Sequence, residues 1–181
     1  MRNVVVHETE GDLLEVKDGD IPTFLCHGVN TRGFMGAGIA KVFAENFPGL
    51  LDGYRAFIKT SRCPIPGGST NLLGQNYVYN VSDTLHIVNM FTQRNTGADA
   101  RLLPILQCID TLLRYVGREK SKIFIPQIGC GIGGLHWDHT RQAIIDHITS
   151  FNKEAQRGMV NSGEETKVYL VEFKSGVNPE Q

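Results

Sequence analysis

No stretch of this chain stays apolar for the ~20 residues that a bilayer span needs. The opening residues, Met1 to His7, turn polar too soon for a signal peptide. A cytoplasmic protein with no membrane partner is therefore expected. An excess of charge of one sign is lacking as well. The formal net charge is −1, so no overall basic field draws in nucleic acid. Nucleic acid is expected only as a modified substrate. Cysteines are few and scattered: Cys26, Cys63, Cys108 and Cys130 show no paired zinc-type spacing. Free thiols in a reducing compartment are the expectation. His136 and His139 have i, i+3 spacing, but no third ligand follows in register, so neither metal nor cofactor is expected. No repeat, linker or low-complexity tract divides the chain. One domain over 1–181 is expected, with a core over about 2–173 and a frayed tail over 174–181. A monomer is expected, although nothing in the residues fixes the oligomeric state. Two nucleotide fingerprints are also absent, G-x-G-x-x-G and G-x-x-x-x-G-K-[ST].

What is present is a globular composition, 41% hydrophobic and 20% charged, which argues against disorder. Asn3–His7 and Leu13–Val16 read as short strands, the second followed by an Asp18–Asp20 turn. Pro22–Gly28 reads as a central strand, apolar on both faces. Helical spacing covers Gly36–Phe47, Leu50–Lys59 and Leu102–Val116, and a helix opens near Asp138 and runs to Phe151. Ser61–Leu73 and Thr92–Asp99 read as loops. Tyr77–Tyr79, Leu85–Phe91, Lys122–Pro126 and Thr166–Phe173 complete the strands. Strands alternating with helices predict an α/β fold with a sheet parallel at its centre.

Two glycine loops each follow a strand and precede a helix. The first contains Gly33, Gly36 and Gly38; the second runs from Gln127 to Trp137. Ligands in open α/β sheets sit at the carboxyl ends of strands, so both loops should reach one edge. Backbone N–H groups at such loops and helix starts suit phosphate. Two loops suggest a ligand with two phosphates. The alternative, glycines that only make tight turns, stays open for either loop alone.

Leu13-Leu-Glu-Val16 with Gly19-Asp20-Ile21, the His27–Ala40 stretch, and Pro126–Trp137 together resemble the macrodomain family, over about residues 11–173. The resemblance implies a three-layer α/β/α sandwich with a mixed central sheet, and binding of ADP-ribose or an ADP-ribosylated substrate. It also implies site residues. Asp20 would accept from the adenine amine, with Ile21 against the ring. Asn30 would meet the distal ribose. Gly36, Ala37, Gly38 and Ile39 would form one diphosphate loop. Gly129, Cys130, Gly131, Ile132, Gly133, Gly134 and Leu135 would form the other. Phe91 and Thr92 would line the adenosine or ribose pocket, with Phe91 as plain core the alternative. The pattern is similar to the yeast-type ADP-ribose 1″-phosphate phosphatase, the terminal ADP-ribose protein glycohydrolase and the DNA ADP-ribosyl glycohydrolase.

The chain departs from the glycohydrolases at two places. Their lysine after the Leu85–Phe91 strand is matched by Gln93, and the aspartate of the protein-directed enzyme's second loop by Gly133. An amide is no nucleophile, so covalent lysine chemistry is not available. His27 stands where the phosphatase also has histidine. With Asn30 it is the expected catalytic group, poised near neutrality to handle a proton. A histidine hydrogen-bonded within the sheet is the alternative. Three readings follow: hydrolysis of ADP-ribose 1″-phosphate first, removal of ADP-ribose from protein or nucleic acid second, and a non-catalytic reader third.

Overall fold

The computed structural model describes residues 3–61, 71–117, 119–156 and 165–173. Along them run β1 (Asn3–Glu10), β2 (Thr23–Asn30), α1 (Gly38–Asn46), α2 (Leu50–Thr60), β3 (Asn76–Asn80), β4 (Leu85–Gln93), α3 (Leu102–Tyr115), β5 (Ser121–Pro126), α4 (Trp137–Gln156) and β6 (Glu165–Glu172). The strands form one sheet in the order β1-β6-β5-β2-β4-β3. Every pairing is parallel except β3 on β4. The sheet is therefore mixed, and its five parallel strands all end on one edge.

Alternation along each strand sends side chains to opposite faces. Leu25 and Val29 of β2, with Ile87 and Phe91 of β4, meet Phe43 of α1 and Leu50, Tyr54 and Ile58 of α2. The last three recur at i, i+4 and so form one stripe of α2. Cys26, Val88, Ile123 and Ile125 face the other way, onto Ile105, Ile109 and Leu112 of α3 and Ile144 and Ile148 of α4. Two helices on each face make the three-layer α/β/α sandwich that the family resemblance implied. No helix among the described residues is long and apolar enough to cross a membrane.

Leu13–Val16 is not a strand. Asp12 Oδ1 accepts from the Leu14 N–H at 2.9 Å, and the Val16 N–H donates to the Leu13 carbonyl at 3.3 Å. The backbone closes on itself in a 3-10 turn over Leu13–Glu15, while Leu13 is buried. The place beside β1 belongs to β6 instead. β4 also runs past Phe91, so Thr92 and Gln93 are strand residues rather than loop. Most of the expected Ser61–Leu73 loop, with Cys63, and the tail over 174–181 lie outside the described residues. At the β1 edge, Asn152 of α4 makes two bonds to Val4. Its Oδ1 accepts from the Val4 N–H at 3.1 Å, and its Nδ2 donates to the Val4 carbonyl at 2.8 Å.

Candidate functional site

Topology decides where a ligand can enter. β2 leads into α1 on one face of the sheet, and its neighbour β5 leads into α4 on the other. Connections that part to opposite faces leave a crevice at the carboxyl ends of the two strands. A cleft lies there. It is walled by the ends of β2 and β4, the loop before α1, the loop after β5, and Phe173 just beyond β6.

Both glycine loops reach this cleft. Gly36, Ala37, Gly38 and Ile39 line it. Ala37 holds the N-cap position of α1 and offers no side-chain cap, so the first-turn N–H groups are left for an incoming acceptor. Gly129, Cys130, Gly131, Ile132 and Gly133 line the opposite wall. At Gly129 φ is +75°, and a Cβ would stand 2.9 Å from both Ile105 Cδ1 and Leu135 Cδ1. Only glycine meets both demands. Ile132 spans the gap: its Cδ1 lies 3.7 Å from where a Gly38 Cβ would be.

Gly134 and Leu135 do not join the wall, contrary to expectation. The Gly134 N–H closes the turn onto the Gly131 carbonyl at 3.0 Å, and the Leu135 N–H returns to the Gly129 carbonyl at 3.0 Å. The Leu135 side chain packs on the core. Phe91 also leaves the site, because strand alternation turns it to the α2 face. There it stacks against Tyr54 and Phe57, with ring centroids 5.8 Å apart in each case. Its neighbour Thr92 does line the cleft. Thr92 is fully buried, and its Oγ1 has no partner among the described residues.

His27 is not where the sequence reading put it. It is fully buried beneath α1, 4.9 Å from the Phe43 ring centroid, and does not line the cleft. Its Nε2 lies 2.8 Å from Asn89 Oδ1, which can only accept, so Nε2 carries the proton. Asn89 in turn donates to the Tyr77 carbonyl at 3.1 Å. Burial lowers the His27 pKa to about 4, against a smaller upward pull from Asn89. The side chain is a neutral link across β2, β4 and β3, not a group poised near pH 7.

Asn30 lines the cleft, but most of its amide is engaged. Its Nδ2 donates to the Phe34 carbonyl at 2.7 Å, and its Oδ1 accepts from the N–H groups of Arg32 at 2.9 Å and Phe34 at 3.3 Å. Tyr54 Oη donates to the Asn30 carbonyl. One Nδ2 hydrogen is left. Gln93 is similarly tied down: its Nε2 donates to the carbonyls of Asn95 at 2.6 Å and Gly97 at 3.3 Å. Among the described lining residues only Cys130 is ionisable, and partial burial pushes its thiol up.

Asp20 and Ile21 lie on the wrong edge. They precede β2, and the next residues bond to the amino ends of other strands. The Thr23 N–H donates to the Thr84 carbonyl at 2.7 Å, and the Lys122 N–H to the Pro22 carbonyl at 2.9 Å. All of this is the edge opposite the cleft. The turn that does reach the carboxyl edge is Gly11-Asp12-Leu13. The Gly11 N–H donates to the Glu172 carbonyl at 2.9 Å, which sets Asp12 beside the β6 end that carries Phe173. The sequence reading missed Asp12, although Gly11-Asp12 directly follows the β1 run. Phe173 and Phe34, which line the cleft, were missed with it.

The family model of the macro domain matches residues 26–144, more than half of the chain. The chain belongs to the macrodomain family. This macrodomain is 28% identical to the DNA ADP-ribosyl glycohydrolase of Mycobacterium tuberculosis over 126 residues, 67% of this chain and 33% of that protein. It thus spans about a third of that relative's length. It is also 28% identical to the ADP-ribose 1″-phosphate phosphatase of Candida albicans over 130 residues, 66% of this chain and 78% of that protein. Among solved structures, the macrodomain of Thermus aquaticus DarG superposes with a TM-score of 0.66 at 23% identity, covering 92% of this chain and 99% of that one. That likeness speaks for the fold alone.

Proposed function

We propose that this macrodomain binds ADP-ribose in the cleft and acts as a hydrolase of ADP-ribose derivatives, with ADP-ribose 1″-phosphate first among them. The observation that carries the binding is the pair of glycine loops facing each other across one crevice, one of them ending in the uncapped first turn of α1. A diphosphate fits between two such walls. Strand order then gives the ligand a direction. Phe173 lines the β6 end with Asp12 next to it in the turn held on Glu172, and Asn30, Gln93 and Gly97 line the β2–β4 end. An aromatic ring beside a carboxylate suits adenine, whose exocyclic amine donates to the carboxylate. The distal ribose then falls near Asn30, whose remaining Nδ2 hydrogen can donate to a hydroxyl.

The hydrolase half rests on the relatives, including the Candida albicans phosphatase, most of whose length this chain covers. One observation favours the non-catalytic reader instead. The described lining has no acid or base except the Cys130 thiol, and that thiol is held protonated by burial. Gln93 offers an engaged amide, which leaves removal of ADP-ribose through a lysine without its nucleophile. Calorimetric titration with ADP-ribose tests binding, and absence of heat rejects the whole reading. Phosphate release from ADP-ribose 1″-phosphate, run beside ADP-ribose release from modified protein and DNA, separates the two hydrolases. Binding with no turnover in any assay leaves the reader.

A further inference from the structure

At the β2–β4 end of the cleft one large apolar side chain stands in water. Phe34 lines the cleft and is 57% exposed. It belongs to neither core cluster, and among the described residues it stacks on no other ring. The loop that presents it is nevertheless firmly fastened. Asn30 holds both backbone groups of Phe34 through one amide. Arg55 Nε donates to the Gly33 carbonyl at 3.0 Å. Arg32 reaches Asn95 Oδ1 with Nε at 3.3 Å and Nη2 at 3.2 Å, which ties this loop to the one after β4.

These fastenings are polar, between side chains or from side chains to backbone. The Phe34 ring contributes to none of them, so it is not what holds the loop. An exposed ring carried on a fastened backbone is ready for a flat partner, since no loop ordering is needed when the partner arrives. Its position restricts that partner. The adenine and diphosphate lie toward Phe173 and the glycine loops under the binding reading on which this inference rests. Phe34 is therefore next to whatever is attached beyond the distal ribose.

We propose that Phe34 is a stacking platform for the aglycone of an ADP-ribose adduct, and that a planar heteroaromatic base is held there more tightly than an aliphatic group. Aromatic–base stacking tolerates any flat base, because every base has a π-face. Arg32, two residues before Phe34 and held on Asn95, adds a cation suited to a phosphate flanking that base. The chemistry is shared by two sources, a base within a nucleic acid and the nicotinamide of a free dinucleotide.

The test titrates the full chain with four ligands: ADP-ribose, 1″-O-methyl ADP-ribose, NAD+, and a single-stranded oligonucleotide carrying ADP-ribose on one base. Wild type and the Phe34→Leu and Phe34→Trp variants are compared, with thermal melts to confirm folding. For wild type, a planar aglycone is expected to bind about tenfold tighter than the methyl aglycone, the worth of one base–aromatic stack. In Phe34→Leu that ratio falls to about one, and in Phe34→Trp it returns. A tighter hold on the oligonucleotide than on NAD+ names nucleic acid as the source; the reverse names the dinucleotide. A wild-type ratio near one, or a ratio that Phe34→Leu leaves unchanged, overturns the proposal while ADP-ribose binding stands. If wild type binds none of the four, the binding reading fails and this inference falls with it.

Discussion

Two turns in this chain carry nearly the same residues. Gly11-Asp12-Leu13 and Gly19-Asp20-Ile21 both put an aspartate between a glycine and an aliphatic residue. One follows β1 and reaches the carboxyl edge of the sheet beside Phe173; the other precedes β2 and sits at the amino edge beside Thr84. Their carboxylates are equivalent as chemistry. Strand direction alone makes one a neighbour of the cleft. A motif in a parallel sheet thus has meaning only once the end of the strand it occupies is known.

The contrast between the two edges can be broken at several points, the largest first. Gly129→Ala, at the carboxyl edge, forces a Cβ onto left-handed backbone at a cost of about 1–2 kcal/mol and into Ile105 and Leu135. The overpacking adds about 1–3 kcal/mol. At about 2–4 °C per kcal/mol, the melting midpoint should fall by about 10 °C, with ADP-ribose affinity lost in the same titration. Gly19→Ala, at the amino edge, meets nothing within 4 Å and should change neither. Equal effects at both glycines would remove the asymmetry.

Between the edges, His27 should show itself in stability rather than in turnover. Its folded pKa of about 4 lies below the ordinary 6.5, so the unfolded chain takes up the proton first as pH falls. Stability is full above about 6.5 and declines toward 4, by up to about 1.4 kcal/mol per pH unit. Melting curves of wild type and His27→Gln should converge as pH drops through that window. Turnover should carry no inflection near 6.5 that His27→Gln removes; finding one would return His27 to the site.

Asp12→Asn keeps an oxygen to cap the Leu13–Glu15 turn but removes the charge. ADP-ribose should bind about tenfold more weakly, as for loss of one charge-assisted hydrogen bond. Its preference over the hypoxanthine analogue should shrink in step. Asp20→Ala should shift the affinity by less than about twofold, the smallest effect, as expected of an exposed side chain away from the cleft. The opposite ranking would restore the Asp20 assignment.

Much of the fold was legible because periodicity is a local signal. The α2 stripe of Leu50, Tyr54 and Ile58 and the apolar run of β2 announce their partners without knowledge of the rest. Both glycine loops were legible for the same reason. Leu13–Val16 was misread because its alternation fits a strand, while the Asp12 cap that bends it is a single side-chain bond. His27 and Phe91 were misread because facing depends on register: each lies within a residue or two of the cleft, yet alternation turns both toward α1 and α2. Phe34 gave one usable sign, a lone aromatic inside Thr31–Gly36. Its exposure is a tertiary fact, set by Asn30, Arg55 and Asn95 together.

Asn152 carries a consequence of another kind. An outer strand with open N–H and carbonyl groups is a template for a second chain. On β1 the outward pair at Val4 is already occupied, donor and acceptor both, by one amide from α4. The side chain imitates a single residue of a seventh strand. An intruding strand would have to displace α4 at that rung before it could add, so the helix that covers the core also guards the sheet against polymerisation from this side.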